Sequence, residues 1–260
     1  MSEMTEANTV LSQTRVPFIF TYVDAFNMDE TLMAIEERIL ARQITQHVVI
    51  NAGKIVLMEK DKDLREIVNS CPIINADGQS VVWVSRFLGH DLPERVTGID
   101  LMFRLIERAS LKGYRVYFFG AAEEVVVKTK NHFEQKFPAL QVAGYRNGYF
   151  SIEDEDSIVR DMRESHADIL LIAFSSPKKE LWVRDHIDQI NIPFVMGVGG
   201  SFDIVAGVTK RAPGIMQKMG LEWAFRLFQE PRRMLKRYVY GNSRFVYLVL
   251  RYKFHRKLSQ

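Results

Sequence analysis

The chain has 260 residues, of which 47% are hydrophobic and 26% are charged, and its formal net charge is +3. This length suffices for one large α/β domain or two modest ones, and the composition is that of a globular protein with a sizeable core. Cys71 is the one cysteine, which excludes a disulfide framework or a cysteine-based metal site within the chain. We predict a buried, inert thiol in a protein of a reducing compartment.

The charge is distributed unevenly along the chain. Residues 1–15 carry no apolar run, so we expect a disordered tail and no signal peptide there. No apolar stretch is long enough to span a membrane. Residues 210–260 hold thirteen Lys and Arg against two acidic residues, so this segment carries +11 and the residues before it about −8. Such a basic end indicates contact with phosphate, on a nucleic acid or on a membrane surface.

The first half of the chain alternates short apolar strands with amphipathic helices. We predict strands over residues 18–22, 47–50 and 72–76 and helices over 27–41, 54–70, 79–88 and 101–111. From residue 114 the alternation becomes regular. Strands are predicted over 116–119, 140–143, 168–173 and 193–196, and helices over 123–137, 153–165 and 178–189. Strands separated by helices at this spacing predict a parallel sheet with right-handed crossovers.

Asp77 stands where the strand over residues 72–76 opens into the turn sequence Asn-Ala-Asp-Gly. Loops at strand ends carry the ligands of α/β proteins, so Asp77 is a candidate functional carboxylate. Aspartate is also a preferred N-cap, and capping the helix over 79–88 is its alternative role. Arg95 lies in the polar loop that follows. It is either a solvated surface residue or the holder of an anion near Asp77.

Three loops of small residues follow strands of the second half and fall at the same edge of the predicted sheet. They span residues 120–122, 175–178 and 197–203. Small residues let a ligand approach the backbone, and helix N-termini beyond such loops favour phosphate. The pattern predicts a nucleotide-type crevice, although the chain has neither a Walker motif nor a dinucleotide fingerprint. Asp203 either contacts a ribose or base there or caps a helix.

The basic end is predicted to form amphipathic helices around residues 221–229, from 231 onward and over 244–257. Basic amphipathic helices are typical of a membrane surface. Nucleic acid is the rival partner, but the aromatic residues follow helical apolar faces and do not form a sheet platform. A helical pair packed on the core with a solvated basic face is the third interpretation. We rank the anionic membrane surface first.

The motifs of the chain, taken together and in order, resemble the WecG/TagA/CpsF family of bacterial glycosyltransferases over residues 16–240. They are Asn75-Ala76-Asp77-Gly78, the stretch 93–100, the strand ending in Gly120, Gly144 with residues 148–150, Pro177-Lys178-Lys179-Glu180, the stretch 197–203, Arg211-Ala212-Pro213, residues 221–223 and residues 230–233. Each motif alone is a weak signal. The full ordered set makes a chance match improbable.

The resemblance implies an inverting transfer of a sugar from a UDP-sugar to a polyprenyl-diphosphate-linked saccharide. It implies β-linkage formation without a metal or other cofactor, in bacterial surface polysaccharide biosynthesis. The enzyme would be peripheral, at the cytoplasmic face of the cell membrane, with no nucleic acid partner. The transferred sugar stays open among N-acetylmannosamine-type sugars, their uronic acids and hexoses. The oligomeric state stays open too, and a homo-oligomer is compatible with the sequence.

The resemblance also implies roles for individual residues. The aspartate that matches Asp77 is the family's proposed general base, and the basic C-terminal part attaches to the bilayer and covers the active site. We assign donor binding to Asn51, Gly120, Ala121, Pro177, Lys178, Lys179, Glu180, Gly199, Gly200 and Asp203. We assign acceptor or diphosphate binding to Arg95, Arg226, Arg232, Arg233 and Arg237.

Two positions depart from the family pattern. Lys179 stands where the family commonly has glutamine, and Val49 where it often has threonine. Lys179 pairs with a donor phosphate or an acidic sugar, or it is a neutral surface substitution. The departures keep a second hypothesis open, a non-catalytic component of a membrane assembly that binds nucleotide sugars or lipid.

The predicted fold is thus α/β, a Rossmann-like parallel sheet flanked by helices with a basic helical C-terminal appendage. We divide the chain into the tail at 1–15, a core at 16–209 and the appendage at 210–260. Within the core, residues 16–112 form the acceptor and catalytic half and residues 113–209 the nucleotide-binding half.

Overall fold

The computed structural model describes residues 15–258, except for the side chains of Lys218, Arg233, Met234, Lys236, Arg237 and residues 256–258. The predicted tail lies outside the described residues, apart from Arg15, which is the first residue of a strand. Arg15 donates from Nε to Asp24 at 2.6 Å, and this ion pair ties the start of the described chain to the next strand.

The strands of the described chain are β1 Arg15–Phe18, β2 Thr21–Asp24, β3 Thr45–Ile50, β4 Ile73–Ala76, β5 Arg115–Gly120, β6 Gln141–Arg146, β7 Ile169–Ala173 and β8 Phe194–Gly197. β1 and β2 form an antiparallel hairpin. We predicted one strand over residues 18–22, which is wrong, because Ile19 takes a φ of +59° and turns the chain.

The other six strands form one sheet in the order β4-β3-β8-β7-β5-β6. Every neighbouring pair in it is parallel. The carboxyl ends of all six strands therefore meet at one edge of the sheet. The predicted fold class, a parallel sheet flanked by helices, is confirmed.

The α-helices are α1 Met28–Leu40, α2 Ala52–Lys60, α3 Lys62–Ser70, α4 Gln79–Phe87, α5 Gly98–Lys112, α6 Glu123–Lys136, α7 Glu155–Glu164, α8 Lys178–Ile190, α9 Ser201–Val205, α10 Gly214–Lys218, α11 Glu222–Gln229 and α12 Pro231–Leu258. A 3₁₀ turn over Ile152–Asp154 precedes α7. No described helix is both long and apolar enough to cross a bilayer.

Two helix predictions were wrong in their boundaries. The helix predicted over residues 54–70 is divided at Asp61, whose side chain accepts a hydrogen bond from the Leu64 N–H at 2.9 Å and so caps α3. The last two predicted helices are one, because α12 runs without a break through residues 231–258.

The helices cover both faces of the sheet with three apolar clusters. One packs α1, α5 and α6 against the sheet, and another packs α7 and α8 against the opposite face of β5, β7 and β8. The remaining cluster combines β1, β3, β4, α2 and α3 with three residues of α12. These are Phe245, Leu248 and Val249, and the Phe245 ring lies 6.5 Å from that of Phe18. The C-terminal helix is thus anchored on the half of the molecule that carries Asp77.

Candidate active site

Asp77 and Asn51 follow neighbouring strands at the carboxyl edge of the sheet. The Asp77 N–H donates to the Ile50 carbonyl at 2.8 Å, which extends the β3–β4 pairing by one residue. The Asn51 Oδ1 accepts from the Lys54 N–H at 2.9 Å and caps α2. This leaves the amide NH₂ of Asn51 to donate to the Asp77 carboxylate. The predicted donor residue and the predicted base are therefore in contact.

The alternative role of Asp77, as a helix cap, is not what the structure has. The N-cap of α4 is Gly78, at a φ of +129° that a residue with a side chain rarely adopts. The glycine turns the chain directly after Asp77. The Asp77 side chain consequently points into the site with Asn51.

The environment of Asp77 makes it a stronger base than an ordinary aspartate. Burial raises the pKa of this carboxyl group, and the nearby Glu222 raises it further. Arg226, the Asn51 hydrogen bond and Arg95 lower the pKa but do not cancel the effect of burial. A raised pKa suits a group that must take a proton at near-neutral pH.

Arg226 and Glu222 bring α11 over Asp77. The two residues are four apart, so they share one face of the helix. Arg226 lowers the pKa of Asp77 and Glu222 raises it, and the effect of Arg226 is the larger. Among the arginines assigned to the acceptor or diphosphate, Arg226 is thus placed beside the candidate base by the C-terminal helices.

Arg95 connects the Asp77 loop to the same helices. It donates from Nη1 to Glu222 at 2.6 Å and from Nη2 to the Gln217 carbonyl at 2.7 Å. The Val96 N–H donates to the Ala76 carbonyl at 2.8 Å, which fixes the Arg95 loop to β4. Arg95 is not a solvated surface residue, because its side chain is 17% exposed and paired with Glu222. It holds α10 and α11 close to Asp77.

The remaining arginines assigned to this role lie at the start of α12. Arg232 is exposed in its first turn. Arg233 and Arg237 belong to the same helix, but their side chains are outside the described part of the chain.

In the loop after β5, the backbone of Gly120 lies very close to the backbone of β7. Gly120 has a φ of +115°, and a Cβ there would lie 2.8 Å from the Ala173 carbonyl oxygen of β7. Ala121 follows at a φ of +58°, and its carbonyl accepts from the Gly148 N–H at 2.8 Å. Only glycine fits position 120, and this requirement fixes the turn before α6.

The loop after β8 reaches the same edge. Gly199 takes a φ of +54°, and Gly200 is the N-cap of the short helix α9. Asp203 is the third residue of α9, so it is not the N-cap that we considered as its alternative role. Its backbone carbonyl accepts from Val208 and Thr209, which ends the helix in a turn.

The loop after β7 carries the sequence Ser-Pro-Lys-Lys-Glu at 176–180. The Ser176–Pro177 peptide bond is cis, and α8 begins directly after Pro177. Lys178 is exposed, and its Nζ lies about 5 Å from the ring centroids of Phe150 (5.0 Å) and Phe174 (4.9 Å). A cation held over two aromatic faces at a helix N-terminus is well placed for a phosphate.

Glu180 is fully buried and already engaged by protein groups. Its Oε1 accepts from the Lys54 ammonium at 2.6 Å, and its carboxylate also accepts from the Ser176 hydroxyl at 2.7 Å. The pKa of Glu180 is lowered because these cationic and hydroxyl partners outweigh burial. Glu180 thus fixes the β7 loop to α2 and its Asn51 cap.

Lys54, which is 4% exposed inside an apolar helix, was not among the predicted site residues. A lysine at an apolar position of a helix indicates a buried ion pair, because burying its charge requires a partner.

A hydrogen-bonded row of three residues, His47, Asn75 and Thr31, lies beneath the site and was not predicted either. His47 Nε2 lies 2.9 Å from Asn75 Oδ1, and the Asn75 amide donates to Thr31 at 3.0 Å.

Lys179 is largely enclosed in the site, so it is not the surface residue that we considered as an alternative. Its side chain is 12% exposed, and its Nζ lies 3.4 Å from Glu180 Oε1. Its methylenes cover Gly197, where a Cβ would lie 2.6 Å from them. Burial lowers the pKa of Lys179 and so does Lys54, whereas Glu180 and Asp77 raise it.

Val49, the other position that departs from the family pattern, is buried in β3, opposite Asn75 of β4.

A cavity of about 440 Å³ lies beside the helix that follows Asp77. Its walls come from one face of α4, the Arg95 loop and α10. The lining residues are Gln79, Val82, Arg86, Pro93, Glu94, Arg95, Gly214 and Gln217. Arg95 lines this cavity and also acts on the charge of Asp77, so the cavity adjoins the candidate base.

The chain is similar to known proteins over most of its length. The model of the "Glycosyl transferase WecG/TagA/CpsF family" matches residues 16–259. A relative from Bacillus spizizenii (strain ATCC 23059 / NRRL B-14472 / W23) is 34% identical over 172 residues, which cover 65% of this chain and 66% of the relative. That relative is named N-acetylglucosaminyldiphosphoundecaprenol N-acetyl-beta-D-mannosaminyltransferase. The aligned part thus spans slightly less than two thirds of its length.

Proposed function

The chain belongs to the glycosyl transferase WecG/TagA/CpsF family, and we propose that it moves a sugar from a UDP-sugar to a polyprenyl-diphosphate-linked saccharide. One observation carries this proposal: the Asp77 carboxylate, whose pKa is raised, lies at the sheet edge that carries the glycine loops and beside Arg226 of the C-terminal helices 214–258, which we call the cover. The 34% identical relative is named for an acceptor of the same type.

Asp77 is the general base of the proposed reaction. Its carboxylate takes the proton of an acceptor hydroxyl while that oxygen attacks the anomeric carbon of the donor. The bond from this carbon to the diphosphate oxygen breaks, and UDP leaves with the electron pair. A single displacement of this kind inverts the anomeric centre and gives a β-linkage from an α-linked donor. Asn51 orients the carboxylate through its amide.

The chain supplies positive groups for the charge that develops on the leaving diphosphate. Lys178 stands at the start of α8, and Arg226 faces the site from α11. The N-termini of α6 and α8 point to the same edge because both helices follow parallel strands. Fixed donors of this kind stabilise a developing anion. We therefore propose that the reaction needs no metal, so that dialysis against EDTA leaves the rate unchanged.

The acceptor approaches from the C-terminal helices in this proposal. Several large apolar side chains of α10–α12 are exposed, namely Ile215, Phe228, Leu235, Val239, Val246 and Phe254. Basic residues of the same segment would add roughly 1 kcal/mol each near an anionic bilayer. We propose that these helices lie on the cytoplasmic face of the membrane as a peripheral contact. The cavity beside Asp77 would then receive the saccharide of the lipid-linked acceptor.

The test is release of UDP by the purified full chain. UDP-N-acetylmannosamine, its uronic acid and UDP-glucose are each offered with polyprenyl-diphosphate-linked N-acetylglucosamine. We expect UDP release with one donor class, and only when the acceptor carries its diphosphate. The control acceptor is the same saccharide on a neutral alkyl chain. Donor binding without UDP release from any pair would contradict catalysis and favour the non-catalytic component.

A further inference from the structure

Two lysines, the buried Lys54 and the largely enclosed Lys179, share one carboxylate at the carboxyl edge of the sheet. Lys54 lies 2.6 Å from Glu180 Oε1, whereas Lys179 lies 3.4 Å from the same oxygen. An ammonium group has three N–H donors. The shorter contact makes Lys54 the neutralising partner of Glu180. Lys179 is therefore the surplus cation of this cluster.

The wider surroundings do not remove this surplus. The connected cluster in the described chain has one more cation than carboxylates. Its cations are Lys54, Lys179, Arg95, Arg211 and Arg226, and its carboxylates are Asp77, Asp100, Glu180 and Glu222. Placing an unneutralised cation out of water is costly, so an incoming anionic group would be bound favourably here.

The position of Lys179 places this charge beside the reacting atoms. Its stem lies across Gly197, at the end of β8, between the Asn51 loop on β3 and the Ser176 loop on β7. Any side chain at 197 would displace the lysine. Lys179 and Asp77 also interact electrostatically. A donor sugar that reacts at Asp77 would thus lie within the electrostatic reach of the Lys179 ammonium.

We propose that Lys179 binds an anionic oxygen of the donor near the anomeric carbon and so selects the donor. The inference rests on the proposed function and deepens it. Two parts of a sugar nucleotide carry such an oxygen. One is the diphosphate, and the other is a carboxylate on the transferred sugar when that sugar is a uronic acid.

Calorimetric binding without acceptor separates these sources, with UMP, UDP, UDP-N-acetylglucosamine and UDP-glucuronic acid as probes. Lys179→Gln is compared with wild type and with Lys128→Gln, which removes an exposed lysine of α6. If the sugar carboxylate is bound, Lys179→Gln weakens UDP-glucuronic acid at least tenfold and leaves UDP unchanged. If the diphosphate is bound, it weakens UDP and both UDP-sugars alike and leaves UMP unchanged.

Lys179→Met keeps an apolar stem on Gly197 and removes the charge, so it must give the same loss if Lys179→Gln fails to fold. Affinities within twofold of wild type for all four probes in either folded variant would overturn the inference while the proposed function stands. A wild-type protein that binds none of the UDP compounds would overturn both.

Discussion

The sheet edge and the C-terminal helices surround Asp77 from two sides, and they hold their charged groups in different ways. At the sheet edge, Asn51, Lys54 and Glu180 are fixed by buried hydrogen bonds and by the pairing of parallel strands. The C-terminal side depends on ion pairs such as Arg95 with Glu222, which are partly open to water. The comparison indicates that the groups around Asp77 at the sheet edge are preorganised, whereas the C-terminal helices are easier to displace from the site.

The anchoring of α12 shows the same contrast. Its middle is fixed by Phe245, Leu248 and Val249, which are at most 5% exposed. Arg244 adds an ion pair with Glu59, from Nε to Oε2 at 2.7 Å. Other large residues of the same helix, such as Phe254 at 63%, stay exposed. Among the described residues, the middle of α12 thus holds its apolar attachment, and other large apolar side chains of the helix stay exposed.

Breaking the buried ion pair tests the sheet-edge side of the comparison and should have the largest effect on stability. Lys54→Met removes the shorter of the two cation contacts of Glu180 and leaves Lys179 at 3.4 Å from Oε1. The loss should therefore approach but not exceed the cost of removing one partner of a buried pair, which is typically about 3–5 kcal/mol. Denaturant unfolding measures the loss. The triple variant Lys54→Met/Lys179→Met/Glu180→Leu removes all three charges of the cluster and should recover part of it. Equal stability of Lys54→Met and wild type would show that the pair does not anchor the loop.

Releasing the apolar anchor tests the cover. Phe245→Ala removes the ring that stacks on Phe18, and truncating a buried phenylalanine typically costs about 3–5 kcal/mol. We expect faster hydrogen exchange along α12 with little change in the amides of β3 and β4. Phe254→Ala, the matched exposed change, should stay within about 0.5 kcal/mol. Loss of protection throughout the sheet would contradict a separately attached cover.

The histidine beneath the site gives a smaller, pH-dependent test of the buried edge. Burial lowers the pKa of His47 to about 4 from 6.5. Between these values the unfolded state binds a proton that the folded state does not, so stability falls as pH drops from 6.5 to 4. The shift corresponds to roughly 3 kcal/mol. His47→Gln should flatten this part of the stability profile, and His132→Gln, at an exposed site, should not. Parallel profiles for both variants would contradict a neutral, buried His47.

The sequence was enough to predict the parallel sheet and the meeting of its strand-end loops, because apolar periodicity and small residues are local signals. The contact between Asn51 and Asp77 follows from the pairing of β3 with β4. The pairs Lys54–Glu180 and Arg95–Glu222 join residues more than 120 positions apart. A local sequence pattern does not indicate contacts between residues so far apart in the chain. The division of the long helix at Asp61 was missed because a single aspartate inside an apolar periodicity does not distinguish a cap from a solvated residue.

The central claim is that Asp77 accepts the proton of the acceptor hydroxyl, and Asp77→Asn tests it most directly. Loss of a general base should lower kcat by about 10²–10⁴-fold. The affinity for UDP should stay unchanged. Because the pKa of Asp77 is raised, its ionised form costs stability at neutral pH, so the variant should unfold at the same temperature or higher.

Wild-type kcat should also fall as pH drops through the raised pKa of Asp77. Asp156→Asn, an exposed change on α7, is the control and should keep wild-type turnover and the same pH profile. The decisive measurement is UDP release by Asp77→Asn with donor and lipid-linked acceptor at saturation. The account predicts a loss of at least 10²-fold with UDP binding intact. Turnover within threefold of wild type would contradict it.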